Sequence, residues 1–255
     1  MQQIELVIVG ITGRLGGAVA RGASSPFTVA AGIAGREGEG SVLASGGGNI
    51  TVLGPDVDAG VLESRVVIDC SSPEGTAGIT PRAVEASSPM VVATTGHTAQ
   101  QLAALKEASK SIPVVLESNF SIGMAVIRKI VDSIFPLPEG FDISIVERHN
   151  ARKRDSPSGT ARSLAGMISS RYGGMDIKLT PGPRGERDIE VASVRAGSGG
   201  GSEHRILLEA ENEEIELRHT TAGSQAYVDG ILKAAAWVNA RRDRGGLYTL
   251  SDVIS

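Results

Sequence analysis

Five short apolar runs, rich in valine and isoleucine, set the terms for the first half of this chain: Ile4–Val9, Phe27–Ala31, Val66–Asp69, Met90–Thr94 and Pro113–Leu116. They show little polar alternation. A strand wetted on one face alternates apolar with polar residues, whereas a strand covered on both faces does not, so these runs read as strands of a buried parallel sheet. Helix-compatible segments separate them. Thr98 followed by Gln101 reads as a capping box opening a helix with Leu102 and Leu105 on one face. Ser72-Pro73-Glu74 reads as another helix start, with proline at the first helical position. Strand and helix in alternation predict a doubly wound α/β domain.

The second half is patterned differently. Phe141–Val146, Ile189–Arg195, His204–Glu209 and Glu214–Thr220 read as strands, Glu211-Asn212-Glu213 as a turn, and Thr160–Arg171 as a helix. Together they predict a smaller α+β domain built on an open mixed sheet. The outer face of such a sheet needs a cover, which predicts self-association. Pro136, Pro138 and Gly140 mark a turn, and Ser198–Ser202 reads as a flexible loop. Ala226–Ala240 reads as a last amphipathic helix returning to the first domain. The patterning changes near Ser121, so residues 1–121 with 227–255 form one predicted domain and residues 122–226 the other.

Composition removes several classes of partner. Aromatic residues make up 3% of the chain and the formal net charge is −4, so neither base stacking nor a basic surface argues for nucleic acid. With a single cysteine, Cys70, an intrachain disulfide is impossible and a cysteine-rich zinc site is excluded; sites of His and carboxylate ligands are not formally excluded, though no metal is expected. The N-terminus lacks the basic and apolar regions of a signal peptide, and no apolar run is long enough to span a bilayer. No membrane partner and a cytoplasmic location are the expectation.

Directly after the first apolar run comes Gly10-Ile11-Thr12-Gly13-Arg14-Leu15-Gly16, with glycines spaced G-x-x-G-x-x-G. A tight strand-to-helix turn without a ligand could use the same glycines. At the first such turn of a βαβ pattern they read as a dinucleotide site: Gly10 permits the turn, and Gly13 lets backbone approach a pyrophosphate at the helix N-terminus. An acid at the end of the second strand would hold the ribose hydroxyls of NAD. Here Gly32-Ile33-Ala34-Gly35-Arg36 offers none before Arg36, whose guanidinium suits the 2′-phosphate of NADP. NADPH is therefore favoured, with NADH left open by the nearby Glu37.

A second polar constellation is Glu147–Ala161, ERHNARKRDSPSGTA. His149 and Lys153, four residues apart, can donate protons or bind a carboxylate. Ser158-Gly159-Thr160 opens a predicted helix, where free N–H groups and two hydroxyls converge into a nest for an anion; Ser158 could equally serve as a helix cap.

With that loop the chain resembles the dihydrodipicolinate reductase family, whose loop reads E-x-H-H-x-x-K-x-D-x-P-S-G-T-A. Glu147, His149, Lys153, Asp155 and Pro157–Ala161 match it. Further matches follow in order at Gly10–Gly16, Ile68–Ser71 with Pro73–Thr76, Ala93–Gly96, Asn119–Gly123, Ser193–Gly197 and Glu203-His204. The resemblance implies a Rossmann-type N-terminal domain, a substrate domain on a mixed sheet, and a homotetramer formed through the sheets. It implies NAD(P)H-dependent reduction of the cyclic imine dicarboxylate of lysine and diaminopimelate biosynthesis to tetrahydrodipicolinate. By motif match Lys153 would be the proton donor, and His149 would bind and polarise the substrate. Ser158, Gly159 and Thr160 would grip a carboxylate, with Asn150 and Thr95 also touching substrate. Gly10, Gly13, Arg14, Leu15, Arg36, Cys70, Ser71, Gly75, Ala93, Thr95, Ser118 and Phe120 would line the cofactor.

Some positions depart from the family pattern. Asn150 replaces the second histidine, and it can hydrogen-bond a carboxylate but carry no charge. Ala125 replaces an asparagine, Ala93 a glycine, Cys70-Ser71 a Phe-Thr pair, and Gly35 an acid. Asn150 and Ala125 leave open a paralogue reducing another cyclic imine or unsaturated dicarboxylate; a non-catalytic NADP-binding regulatory protein is a further alternative, against which His149 and Lys153 argue, since a binding module needs no proton donor.

Overall fold

The computed structural model describes residues 3–137, 140–179, 183, 185 and 187–255. The chain divides into two compact units, Met1–Ile122 with Tyr227–Ser255, and Gly123–Ala226.

In the first unit, β1 (Ile4–Val9), β2 (Phe27–Ile33), β3 (Val42–Ser45), β4 (Gly48–Leu53), β5 (Val66–Asp69), β6 (Met90–Val92) and β7 (Pro113–Leu116) form most of one sheet. The helices are α1 (Arg14–Gly22), α2 (Pro73–Glu85) and α3 (Ala99–Ala108). Among the described residues the strand order is β13-β7-β6-β5-β1-β2-β4-β3, where β13 is Gly246–Tyr248. All pairings are parallel except β3 with β4. This is the doubly wound Rossmann-like sheet expected from the apolar runs. Val7 and Val9 pack with Ile79, Ala83 and Leu105 of the α2–α3 side, while Leu6 and Ile8 alternate to the other face and are equally buried. Both faces being covered explains the missing polar alternation.

Local chemistry sets the helix starts. Ser72 caps α2 by accepting from the Gly75 amide, with Pro73 leading the helix. Thr98 and Gln101 make the expected capping box at α3. The inward stripe of α3 runs through Leu105 and Ala108; Leu102, one turn earlier, is 42% exposed. Among the elements that escaped the sequence reading in this unit are the β3–β4 hairpin, β13, and a short closing helix, Leu250–Val253, that follows the amphipathic helix near the C-terminus.

The second unit contains α4 (from Ile122 to Ile134), β8 (Asp142–His149), α5 (Gly159–Arg171), β9 (Asp176–Lys178), β10 (Asp188–Arg195), β11 (Ser202–Glu209) and β12 (Glu214–Thr221). Among the described residues its sheet has the order β12-β11-β8-β10-β9, antiparallel on the β11 side and parallel on the β10 side. Ile143, Ile145, Ile189, Val191, Ile206 and Leu208 point to the face covered by Met124, Val131, Leu164 and Ile168 of the helices. The opposite face carries ion pairs Arg205–Glu216 and Arg218–Glu203. Gly140 has the positive φ of a turn, and Pro138 lies outside the described residues. Ser202, read from sequence as loop, is the buried first residue of β11.

Candidate active site

In the first unit the loops that leave β1, β5, β6 and β7 lie at the carboxyl ends of adjacent parallel strands, where open α/β sheets bind ligands. Gly10 has φ +77°, and a Cβ there would stand 2.5 Å from the Cys70 carbonyl oxygen. Gly16 is equally tight, with an added Cβ 2.3 Å from the Gly10 carbonyl. These contacts press the start of α1 against the strand end. Gly13 is the N-cap, no acidic residue sits in the first turn, and Arg14 leads the helix exposed. A helix N-terminus without a capping side chain suits an anion, so the residues present fit the pyrophosphate of a dinucleotide.

Asp69, the last residue of β5, is fully buried and organises the neighbouring loop. It accepts from the Ser71 amide at 3.0 Å, from the Ser71 hydroxyl at 2.5 Å and from the Thr76 hydroxyl. Thr76 also contacts His97 Nε2 at 3.1 Å, and the Ser71 amide shares Thr94 Oγ1 at 2.9 Å. Gly75 abuts Ser71, with an added Cβ 2.4 Å from its hydroxyl. Thus Cys70, Ser71, Gly75 and Ala93 share one rim, Ala93 through its amide to the Asp69 carbonyl at 2.8 Å; Thr95 is an exposed residue next to Thr94. Burial, with Asp69 second, pushes the Cys70 thiol up to about 12, so it stays protonated. Ser118 and Leu15 are accessible in part or whole. Phe120 is 3% exposed, and its carbonyl packs against Gly230, where an added Cβ would overlap it. Arg36 stands three residues beyond the end of β2, its side chain 78% exposed and ion-paired with Asp56 at 2.6 Å.

In the second unit the loop from β8 to α5 holds His149, Asn150, Lys153, Ser158, Gly159 and Thr160 together. Lys153 Nζ lies 2.8 Å from Asp155 Oδ1. Burial would raise the Asp155 carboxyl, but Lys153 holds it below its ordinary value. Asn150 Oδ1 accepts from the Arg152 amide at 3.0 Å. Ser158 caps α5 by accepting from the Ala161 amide at 3.2 Å. Its own amide donates to Glu147 Oε1 at 3.1 Å, so that N–H is taken within the protein. Gly159 is exposed at the first position of α5.

The sequence reading gave no role to Glu147, Arg195 or His204, yet they form the base of this loop. Ile143 and Ile145 fix the inward face of β8, and the same period puts Glu147 and His149 inward. Register sets Ser193 and His204 opposite Glu147, and Arg195 opposite His149. Glu147 is fully buried. It receives Arg195 Nη2 on Oε1 at 2.6 Å, Arg195 Nη1 on Oε2 at 2.9 Å, and His149 Nδ1 on Oε2. Burial would raise its carboxyl, but His149 and Arg195 outweigh that and hold it well below the usual carboxylate range. His204 packs edge-on to His149, ring centroids 5.3 Å apart, and its Nε2 lies 3.3 Å from the Ser158 hydroxyl. Burial first, and His149 next, push the His204 imidazole down to about 3, so it is neutral at ordinary pH. The missed signal was the strand period itself, which turns a charged residue inward wherever it continues an apolar stripe.

Among the described residues no group of three or more His, Cys, Asp or Glu side chains is arranged to hold a metal ion. Nor is any described helix long and apolar enough to cross a membrane.

Comparison with known proteins follows the same division. Residues 4–120 match the family model for the N-terminus of dihydrodipicolinate reductase, and residues 123–254 match that for its C-terminus. The 4-hydroxy-tetrahydrodipicolinate reductase of Myxococcus xanthus is 36% identical over 270 residues, covering 98% of this chain and 97% of the relative. That of Sulfurimonas denitrificans is 36% identical over 196 residues, 74% of this chain and 76% of its own. In fold, the chain superposes on the dipicolinate-bound dihydrodipicolinate reductase of Paenisporosarcina sp. TG-14 with a TM-score of 0.74 at 21% identity, covering 98% and 99% of the two chains. Because both halves of the family's pattern run in order along nearly the whole sequence, this chain belongs to the dihydrodipicolinate reductase family.

Proposed function

We propose that this protein is a 4-hydroxy-tetrahydrodipicolinate reductase, an NAD(P)H-dependent oxidoreductase that reduces the cyclic imine dicarboxylate to tetrahydrodipicolinate in lysine and diaminopimelate biosynthesis. The observation that carries this reading is the β8–α5 loop, where an ammonium, an imidazole and a helix N-terminus are gathered over a buried carboxylate. A dianionic ring needs cationic and N–H partners for its carboxylates, and an acid for the proton that follows hydride addition. The nicotinamide cofactor supplies the hydride when bound.

Residues 1–121 with 227–255 form the dinucleotide-binding domain, and residues 122–226 the substrate-binding and oligomerisation domain. Gly10, Gly13, Arg14, Leu15, Cys70, Ser71, Gly75, Ala93, Thr95 and Ser118 hold the cofactor, and Phe120 contributes backbone. Gly10 and Gly13 support this by the close approach they permit. Arg36 receives the 2′-phosphate, so NADPH is the preferred reductant; its exposure and its tie to an Asp56 that is also exposed let it exchange partners. Lys153 delivers the proton. Its ammonium is held by a half-exposed Asp155, from which a dianion can compete it away. His149 binds and polarises the ring, while Ser158, Gly159, Thr160, Asn150 and Thr95 contact substrate. The Ser158 contribution comes from its hydroxyl, because its amide is committed to Glu147. The outer face of the second sheet is the surface through which a homotetramer forms, and the enzyme works in the cytoplasm.

The test is to generate the substrate enzymatically, add NADPH and follow the absorbance of the reduced cofactor. Prompt oxidation is expected. Tight NADPH binding without oxidation would overturn the assignment in favour of another substrate, toward which Asn150 already points, or of a regulatory protein.

A further inference from the structure

Motif matching gives roles to His149 and Lys153 but none to the carboxylate sealed beneath them. Glu147 occupies an inward strand position where Ile143 and Ile145 precede it, and a carboxylate is retained there at the cost of its hydration. Hydrogen bonds reach both of its oxygens. Oε1 receives Arg195 Nη2 at 2.6 Å and the Ser158 amide at 3.1 Å; Oε2 receives Arg195 Nη1 at 2.9 Å and His149 Nδ1. That is four donors for about four lone-pair sites, so the carboxylate cannot rotate without losing several of them.

We propose that Glu147 is a positioning residue that locks His149 in its Nδ1-protonated tautomer and in one ring orientation, so that Nε2 is the nitrogen presented to substrate. This rests on the reductase reading of the site. An ionised carboxylate can only accept, so the ring nitrogen facing it carries hydrogen whether the imidazole is neutral or charged. The remaining nitrogen accepts a hydrogen bond from the neutral ring and donates one from the charged ring, and in either state it is the open atom. Arg195 binds Glu147 bidentately and also donates to the Asp155 carbonyl at 2.6 Å. The clamp therefore couples the orientation of His149 to the segment that carries Lys153. His204 closes the other side of the ring edge-on and, being neutral, adds no like charge.

The experiment is long-range ¹H–¹⁵N NMR of the histidine rings in the full chain, with the His149 signals assigned by their loss in His149→Gln. Wild type should show His149 protonated at Nδ1 in its neutral form. Glu147→Gln should shift it to Nε2–H or to a mixture. Its kcat should fall on the order of 10²-fold or more with affinity for NADPH unchanged, since a wrong tautomer costs turnover rather than cofactor binding. A wild-type His149 protonated at Nε2 overturns the proposal, as does a Glu147→Gln enzyme with wild-type kcat. If Glu147→Gln does not fold, the wild-type spectrum decides alone. The tautomer needs no substrate to be read, so a chain that fails to oxidise NADPH refutes the reductase reading without touching this measurement.

Discussion

Among the described residues each unit buries one carboxylate completely near the carboxyl end of a strand, and the two are solvated in opposite ways. Asp69 is held by neutral donors, two from Ser71 and one from Thr76. Glu147 is held by a guanidinium, an imidazole and one amide. A carboxylate satisfied by hydroxyls and an amide shapes a loop, bending 70–76 so that backbone can approach a ligand. One satisfied by charged groups fixes where charge and protons sit. The contrast fits the proposed division of labour, in which the first unit would hold a cofactor and the second would perform the acid–base step. It also shows why a buried acid in a family alignment cannot be given a role by its type alone; its partners decide it.

The sharpest way to break this contrast is Lys153→Ala. If the second unit carries the proton transfer, kcat should drop by about 10²–10⁴-fold, with the NADPH dissociation constant unchanged. Equal turnover would remove the division. Next comes stability, measured by urea unfolding at neutral pH. Glu147→Ala strands Arg195 and should cost about 3–5 kcal/mol. Asp69→Ala strands only neutral groups and should cost about 1–3 kcal/mol. An Asp69 variant costing as much as the Glu147 variant would show that the two hubs do not differ in kind.

Acid titration separates the second unit further. The native His204 imidazole is depressed from 6.5 to about 3, so across that window the unfolded chain binds a proton that the native chain refuses. Stability therefore falls as pH drops below 6.5, with a slope of up to about 1.4 kcal/mol per pH unit. Glu147 is also depressed, from 4.5, so its stabilisation is complete above that value and is lost only below it. Comparing wild type with His204→Asn between pH 6.5 and 4.5 isolates the histidine; parallel curves would show that His204 is not kept neutral by the fold. The smallest effect belongs to the first unit. Arg36→Ala should weaken NADPH about tenfold, leave NADH unchanged, and leave stability unchanged because its pair with Asp56 is exposed. An unaltered cofactor preference would take Arg36 out of the site.

Much of the fold was legible because its signals are local. β1, β5 and β7 begin and end where their apolar runs do, and Thr98 and Ser72 cap helices as their neighbours require. The β3–β4 hairpin was not legible. Its residues are mostly exposed, and the turn Gly46-Gly47-Gly48 breaks any periodicity. β9 and β13, three residues each, are too short to show a period and exist through their pairing with β10 and β7. The candidate site divides along the same line. His149, Lys153 and Ser158 fall within ten residues and could be read together. Arg195 and His204 reach Glu147 only through strand register, from 48 and 57 positions away, and no local pattern carries that information.

The protonated state of Cys70 has a practical consequence. Maleimides, iodoacetamide and peroxide all react through the thiolate, so the raised Cys70 thiol reacts with them more slowly than an ordinary exposed cysteine. Cysteines introduced in a pair on exposed faces, one on each unit, would then take fluorophores ahead of Cys70. Distances between dyes could be followed during turnover without first removing the natural sulfur.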